Sequence, residues 1–223
     1  MTPSPIHSFI GFFAFLAAGI AFKITVGKAG KKRDIETQKF LNDEHEANFA
    51  RAHEIPDEML YHPDINQLPD TDYGDNPEFL KLNQAKQKVL SCAKSPMLRL
   101  NPPMKNIEIK QKFGAANLEK ITNYETSYDQ YIRLLTNFGE ELIKLDLFED
   151  AKKALNICID MESLVSQPYL LLCDIYAKEK NITELNLLKN KVELTAIIAG
   201  DKILSKKILD YANEKLNELD NLK

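Results

Sequence analysis

Apolar residues follow three different patterns along the chain, and each pattern predicts a different kind of segment. From residue 6 to residue 26 they run almost without interruption, as in a membrane-crossing helix. Residues 34–76 are polar, acidic and rich in proline, which predicts a surface helix followed by an extended linker. In residues 77–223 apolar positions recur every three or four residues, which predicts amphipathic helices. We therefore expect an all-α fold.

The first segment has the length of one membrane span. As a helix, residues 6–26 would extend about 32 Å, against roughly 30 Å of hydrocarbon. Four basic residues follow the apolar run closely: Lys28, Lys31, Lys32 and Arg33. A cleaved signal peptide carries its positive charge before the apolar run, so we favour an anchor over a signal peptide or a buried core helix. Because basic flanks stay on the cytoplasmic side, residues 1–33 predict a single-pass membrane protein with its N-terminus outside and its C-terminal domain cytosolic.

The second segment is strongly acidic. Residues 34–76 hold twelve acidic residues against two basic ones, a net charge of −10, whereas the whole chain carries −4. Between Ile55 and Pro77, four prolines and a glycine disfavour helix, and scattered apolar residues predict an extended path along the domain surface. Asn76 and Pro77 predict the start of the first helix of the domain, and another helix begins near Met104 and either runs on or breaks near Gly114.

The most specific pattern is a repeat with a period of 34 residues, seen when residues 135–158 are laid over residues 169–192. The matching positions are Leu135 and Tyr169, Phe138 and Leu172, Gly139 and Cys173, Leu142 and Tyr176, Ala151 and Leu185, and Cys158 and Val192. This is the period of the tetratricopeptide repeat. The segment LLTNFGEELIKLDLFEDAKKAL resembles that family, with Phe138 and Gly139 at its adjacent large and small positions. The second copy departs from the pattern at Cys173, Leu185 and Lys189.

This resemblance implies stacked helical hairpins at about residues 128–161 and 162–195. A capping helix is expected over residues 201–222, where Gly200 and Asp201 supply the stop and the restart. The alternative is an ordinary antiparallel helical bundle. The whole chain also resembles membrane-anchored conserved hypothetical proteins of Gram-positive anaerobes, which join an anchor and a proline-rich acidic stretch to such repeats. That second resemblance implies architecture only.

Charge and motif content argue against several function classes. The basic residues concentrate beside the predicted span, while residues 77–223 carry 22 basic against 21 acidic residues, so nucleic acid is not an expected partner. No phosphate-binding, nucleophile or zinc-binding motif occurs, and the three cysteines form no CxxC pair. We expect no enzyme activity, no catalytic residue, no metal, no cofactor and no small-molecule substrate.

The remaining function class is protein binding. In the tetratricopeptide resemblance, inner positions of the first helix of each pair form a groove for an unidentified protein partner. The candidate groove residues are Arg133, Thr136, Glu140, Lys144, Leu170, Asp174 and Lys178. Glu140 and Asp174 stand where carboxylate-clamping members have asparagine, so capture of a peptide C-terminus is not expected. We therefore expect a membrane-tethered protein-interaction adaptor or scaffold. The alternative is a structural subunit of a membrane complex without a peptide-binding groove.

Overall fold

The protein is almost entirely helical. The computed structural model describes the backbone of residues 5–74 and 76–220, and the side chains of this part except those of residues 5–21, 24, 27–29 and 195–199. The α-helices of the described part are α1 (Pro5–Asn48), α2 (Leu80–Cys92), α3 (Asn106–Phe113), α4 (Leu118–Lys144), α5 (Phe148–Asp160), α6 (Ser166–Lys178), α7 (Ile182–Ala199) and α8 (Lys202–Asp220). Two short strands, β1 (Leu60–Tyr61) and β2 (Met97–Leu98), pair antiparallel. The predicted all-α class is confirmed.

Helix α1 continues without a break from the apolar run into the acidic segment. Its described side chains include Phe22 and Val26, which are 71% and 53% exposed. In the part of the chain that is described, no helix combines the length and the apolar character needed to cross a membrane. Most side chains of the predicted span, residues 6–26, lie outside that part.

Residues Met1–His53 and Lys105–Leu118 form one compact unit. Within it, α3 packs on the end of α1, and the buried apolar side chains of its described part include Ala47, Ile109 and Phe113. Lys110 fixes this packing because its ammonium contacts the Glu44 carboxylate and donates to Asn48 Oδ1 at 2.8 Å. Burial of these apolar side chains and the polar contacts of Lys110 both hold α3 on α1.

Gly114 is the point where the helix predicted from Met104 breaks. Its φ is +89°, and a Cβ there would lie 2.4 Å from the Cα of Ala52. Only glycine tolerates both the left-handed backbone and the close approach. Helix α3 therefore ends at Phe113, and a short 3-10 turn (Ala115–Asn117) leads into α4.

Residues Glu54–Met104 and Glu119–Lys223 form the second unit. Its first stretch, residues 54–74, is called the strap here. Leu68 and Tyr73 of the strap are buried, and Asp150 Oδ2 on α5 accepts hydrogen bonds from Thr71 Oγ1 at 2.6 Å and Tyr73 OH at 2.9 Å. The proline-rich segment is therefore packed on the domain, with two 3-10 turns and β1, as its scattered apolar residues predicted.

The helices from α4 to α7 repeat one local geometry at intervals of 34 residues. Helices α5 and α7 begin at Phe148 and Ile182. The turns before them carry a left-handed residue at Asp146 (φ 56°) and Lys180 (φ 55°). In each turn the next amide closes the preceding helix, with Leu147 N bonding to Leu142 O at 3.0 Å and Asn181 N to Tyr176 O at 2.8 Å. Two helical hairpins with matching caps result.

Close approach of α4 and α5 depends on Gly139. A Cβ at this position would lie 2.7 Å from Cγ and Cδ2 of Leu155, which is fully buried. The large residue beside it, Phe138, is also fully buried. The adjacent large and small positions predicted from the sequence therefore have a steric reason.

Helix α8 closes the array by packing against α6 and α7. Its side chains Ile208 and Ala212 are buried in the shared core. Asp201 caps it, because Oδ1 accepts from the amides of Ile203 at 3.1 Å and Leu204 at 2.9 Å. Gly200 precedes this cap with a φ of +70°.

Candidate protein-binding surface

Part of the predicted groove is an exposed stripe along α4. Arg133 and Lys144 are exposed and Glu140 is half-buried. Side chains three, four or seven residues apart share one helix face, so these three residues and Asn137 form a continuous polar surface. Lys144 donates to the Glu141 carboxylate at 2.6 Å, and this hydrogen bond raises the pKa of Lys144.

Thr136 does not belong to that surface. Its side chain is buried, and its hydroxyl donates to the carbonyl of Ile132 one helical turn earlier, at 2.7 Å. A hydroxyl bonded back to its own helix cannot contact a partner on the surface. The structure therefore removes Thr136 from the predicted set.

The predicted acidic residues connect neighbouring helices. Glu140 of α4 accepts from Gln167 of α6 at 3.3 Å. Asp174 of α6 accepts from Tyr211 OH of α8 at 2.7 Å and lies 3.4 Å from Lys215 Nζ. Burial and the hydrogen bond to Asp174 raise the pKa of Tyr211, which keeps this donor protonated. Glu140 therefore connects α4 to α6, and Asp174 connects α6 to α8.

The two remaining predicted residues lie on α6. Lys178 Nζ is 3.0 Å from Asp146 Oδ1 and 4.1 Å from the centre of the Phe148 ring. Leu170 is half-buried. Lys178 thus joins α6 to the turn between α4 and α5 through a charge pair and a cation–π contact.

Arg133 borders a groove of about 410 Å³, called the Arg133 groove here. Strand β2 with the loop after it, the turn after α5 and one face of α4 line it: Leu98, Arg99, Leu100, Pro103, Glu125, Tyr128, Asp129, Ile132, Arg133, Ser163, Leu164 and Val165. Leu164 and Val165 are 37% and 40% exposed, so apolar surface faces solvent at its rim. Among the described residues, the Arg133 guanidinium has no ion-pair partner.

The wall of the Arg133 groove is fixed by polar contacts to the turn after α5. Arg99 donates to the carbonyls of Met161, at 3.3 Å, and Glu162, and it pairs with the Glu162 carboxylate at 3.4 Å. Tyr128 OH donates to the same Met161 carbonyl at 2.7 Å. Burial raises the pKa of Tyr128 to about 12, so its hydroxyl stays a donor. These contacts join the loop after β2 and helix α4 to the turn after α5.

Glu125 and Asp129 supply the negative charge of the Arg133 groove. Burial raises the pKa of Glu125, and the Leu100 amide partly opposes that shift by bonding to its carboxylate. Asp129 is exposed one turn further along α4, followed by Arg133 one turn later. A charged row beside apolar Leu164 and Val165 suits a peptide segment that presents both an apolar side chain and polar groups.

The cysteines and acidic clusters offer little chemistry in the described residues. Cys158 and Cys173 are buried, and burial raises the pKa of each thiol to about 12, so neither is a ready nucleophile. The described part of the chain contains no group of three or more histidine, cysteine or acidic side chains arranged to hold a metal ion.

Comparison of the chain with protein-family models, with curated proteins and with solved structures gives no match.

Several residues of the surface were missed by sequence reasoning. Arg99, Leu164 and Val165 lie in loops, which have no period that could have marked them. Tyr211 and Lys215 lie on α8, four residues apart, and that spacing on the predicted capping helix was a usable signal.

Proposed function

We propose that the chain is a non-catalytic adaptor, tethered to a membrane by its N-terminal segment, that binds another protein through the Arg133 groove on the cytosolic side. The observation that carries this proposal is the groove itself. It combines exposed Leu164 and Val165 with Arg133, whose guanidinium pairs with no other described residue. Arginine beside apolar surface is a typical centre of a protein interface.

Preorganisation supports the same proposal. Arg99 and Tyr128 hold the loop that follows α5, so little side-chain freedom remains to be lost on binding. The tetratricopeptide-like period of 34 residues adds support, because stacked hairpins offer extended surfaces for partners. The apolar run at residues 6–26 and the basic residues after it support the tether and the cytosolic orientation.

A photocrosslinking experiment in native membranes tests the groove. A photoreactive phenylalanine analogue replaces Val165 in the full chain, and the matched control places it at Leu187, which is 50% exposed on α7. We expect one discrete protein adduct from position 165 and not from position 187. Arg133→Glu should abolish that adduct, whereas Arg51→Glu, at an exposed arginine outside the groove, should leave it intact. Equal adducts from both positions, or an adduct that survives Arg133→Glu, would contradict the proposal.

A further inference from the structure

A second, smaller cavity lies between α2 and α4. Its volume is about 190 Å³. The residues that line it are Lys81, Gln84, Ala85 and Lys88 from α2 and Asn137 and Glu141 from α4. It is called the α2–α4 cleft here, and it adjoins the exposed stripe of α4 that contains Arg133 and Lys144.

Helix α2 directs two lysines toward this cleft. Lys81, Gln84, Ala85 and Lys88 are spaced by three, four and seven residues, so they share one face of the helix. Ala85 is 3% exposed and forms the floor, while both lysines are exposed above it. The ammonium groups of Lys81 and Lys88 make no ion pair or hydrogen bond with any residue that the structure describes.

The positive charge of the α2–α4 cleft is not balanced locally. Its carboxylate, on Glu141, is 16% exposed and already accepts from Lys144 at 2.6 Å. Other lysines at helix junctions of this unit have acidic partners: Lys152 contacts Glu149 and Glu179, and Lys215 contacts Asp174. The ammonium groups of Lys81 and Lys88 therefore lie in the cleft without an acidic partner. The side-chain amides of Gln84 and Asn137 lie beside them and can also donate hydrogen bonds.

We propose that the α2–α4 cleft binds an acidic segment of a partner protein, with one carboxylate at Lys81 and a second at Lys88. Seven residues of helix separate the lysines by about 10 Å, too far for one carboxylate or phosphate group to contact both closely. Acidic residues three apart in a polyproline II peptide are separated by about 9 Å and lie on one face, because this conformation has three residues per turn. This inference rests on the adaptor proposal, because it assumes that the ligand is a protein. It adds the chemistry of a second bound segment, outside the Arg133 groove.

Fluorescence anisotropy on the purified full chain in detergent micelles tests the inference. The probe is a labelled eight-residue peptide, blocked at both ends, with glutamates at its third and sixth positions. A peptide with glutamines at these positions is the matched ligand. We expect the glutamine peptide to bind about tenfold more weakly than the glutamate peptide, because it lacks both carboxylates. Replacing Lys81→Gln together with Lys88→Gln should weaken binding about tenfold, the effect of losing two exposed ion pairs.

The matched protein control replaces Lys202→Gln together with Lys206→Gln, two exposed lysines on α8 that change the net charge equally. The inference is overturned if this control weakens the glutamate peptide as much as the cleft variant does. It is also overturned if inorganic phosphate binds at the cleft while neither peptide does. The adaptor proposal is tested separately, by the photocrosslinked adduct formed from position 165, so its failure can be told apart from failure of this inference.

Discussion

Replacing Gly139 with a larger residue should destabilise the packing of α4 on α5. An added Cβ would lie 2.7 Å from two side-chain carbons of Leu155, whereas ordinary contacts begin near 3.4 Å. Leu155 is fully buried and cannot swing into solvent. The repeat hairpin therefore has no spare space at this crossing.

The magnitude follows from two opposing terms. Overpacking a core costs about 1–3 kcal/mol, while replacing a helical glycine with alanine gains up to about 1 kcal/mol. Gly139→Ala should therefore lose about 1 kcal/mol of unfolding free energy. Gly139→Val adds two more methyl groups and gains less helix propensity, so it should lose about 3 kcal/mol.

Urea denaturation of the full chain in mild detergent, followed by far-UV circular dichroism, measures these losses. Leu155→Ala, which costs about 2–5 kcal/mol alone, removes the atoms that Gly139→Ala would meet. In that background the added methyl group fills space, so the double variant should be at least about 1 kcal/mol more stable than the sum of the single losses predicts. Gly30→Ala is the control, because a Cβ there meets nothing within 4 Å. Additive losses at Gly139 and Leu155 would refute this account of the crossing.

Three further predictions concern buried or half-buried side chains. Burial raises the pKa of Asp150, but hydrogen bonds from the strap outweigh it and leave the pKa lowered. The Asp150 carboxylate should therefore stabilise the fold fully above about pH 4, and this contribution should be lost as pH falls through the folded-state pKa. In urea denaturation, the free energy of unfolding of Asp150→Asn should depend less on acid pH than that of the unchanged protein. Tyr131→Phe should leave the free energy of unfolding unchanged or raise it, because the Tyr131 hydroxyl has no partner in the described part. Tyr128→Phe should lower it by about 1 kcal/mol in urea denaturation, because the Tyr128 hydroxyl donates to the Met161 carbonyl. Iodoacetamide should modify half-buried Cys92 before the two buried thiols, as mass spectrometry would show.

The helical hairpins were predictable because their signals are local. Gly139 beside Phe138, and the recurrence of large residues at intervals of 34, reflect side chains that meet within a turn or across one hairpin. Gly200 and Asp201 marked the boundary before α8 for the same reason, since a left-handed residue and a capping carboxylate act on adjacent backbone.

The strap and the Arg133 groove depend on contacts between distant parts of the chain. Tyr73 bonds to Asp150, and Arg99 bonds to the turn at Met161 and Glu162, far along the sequence in both cases. No period or motif marks such a partner in advance. Predicted groove residues such as Asp174 were placed on the correct helix, but the pattern could not show that α8 already engages that carboxylate.

Affinity capture from native membranes after brief crosslinking tests the central claim of a membrane-tethered adaptor most directly. It is run in parallel on the full chain and on a chain shortened to residues 34–223. If the account is correct, one partner is recovered with both chains, and Arg133→Glu abolishes its recovery from each. Recovery of partners only when residues 1–33 are present would contradict the account and would favour a structural subunit of a membrane complex.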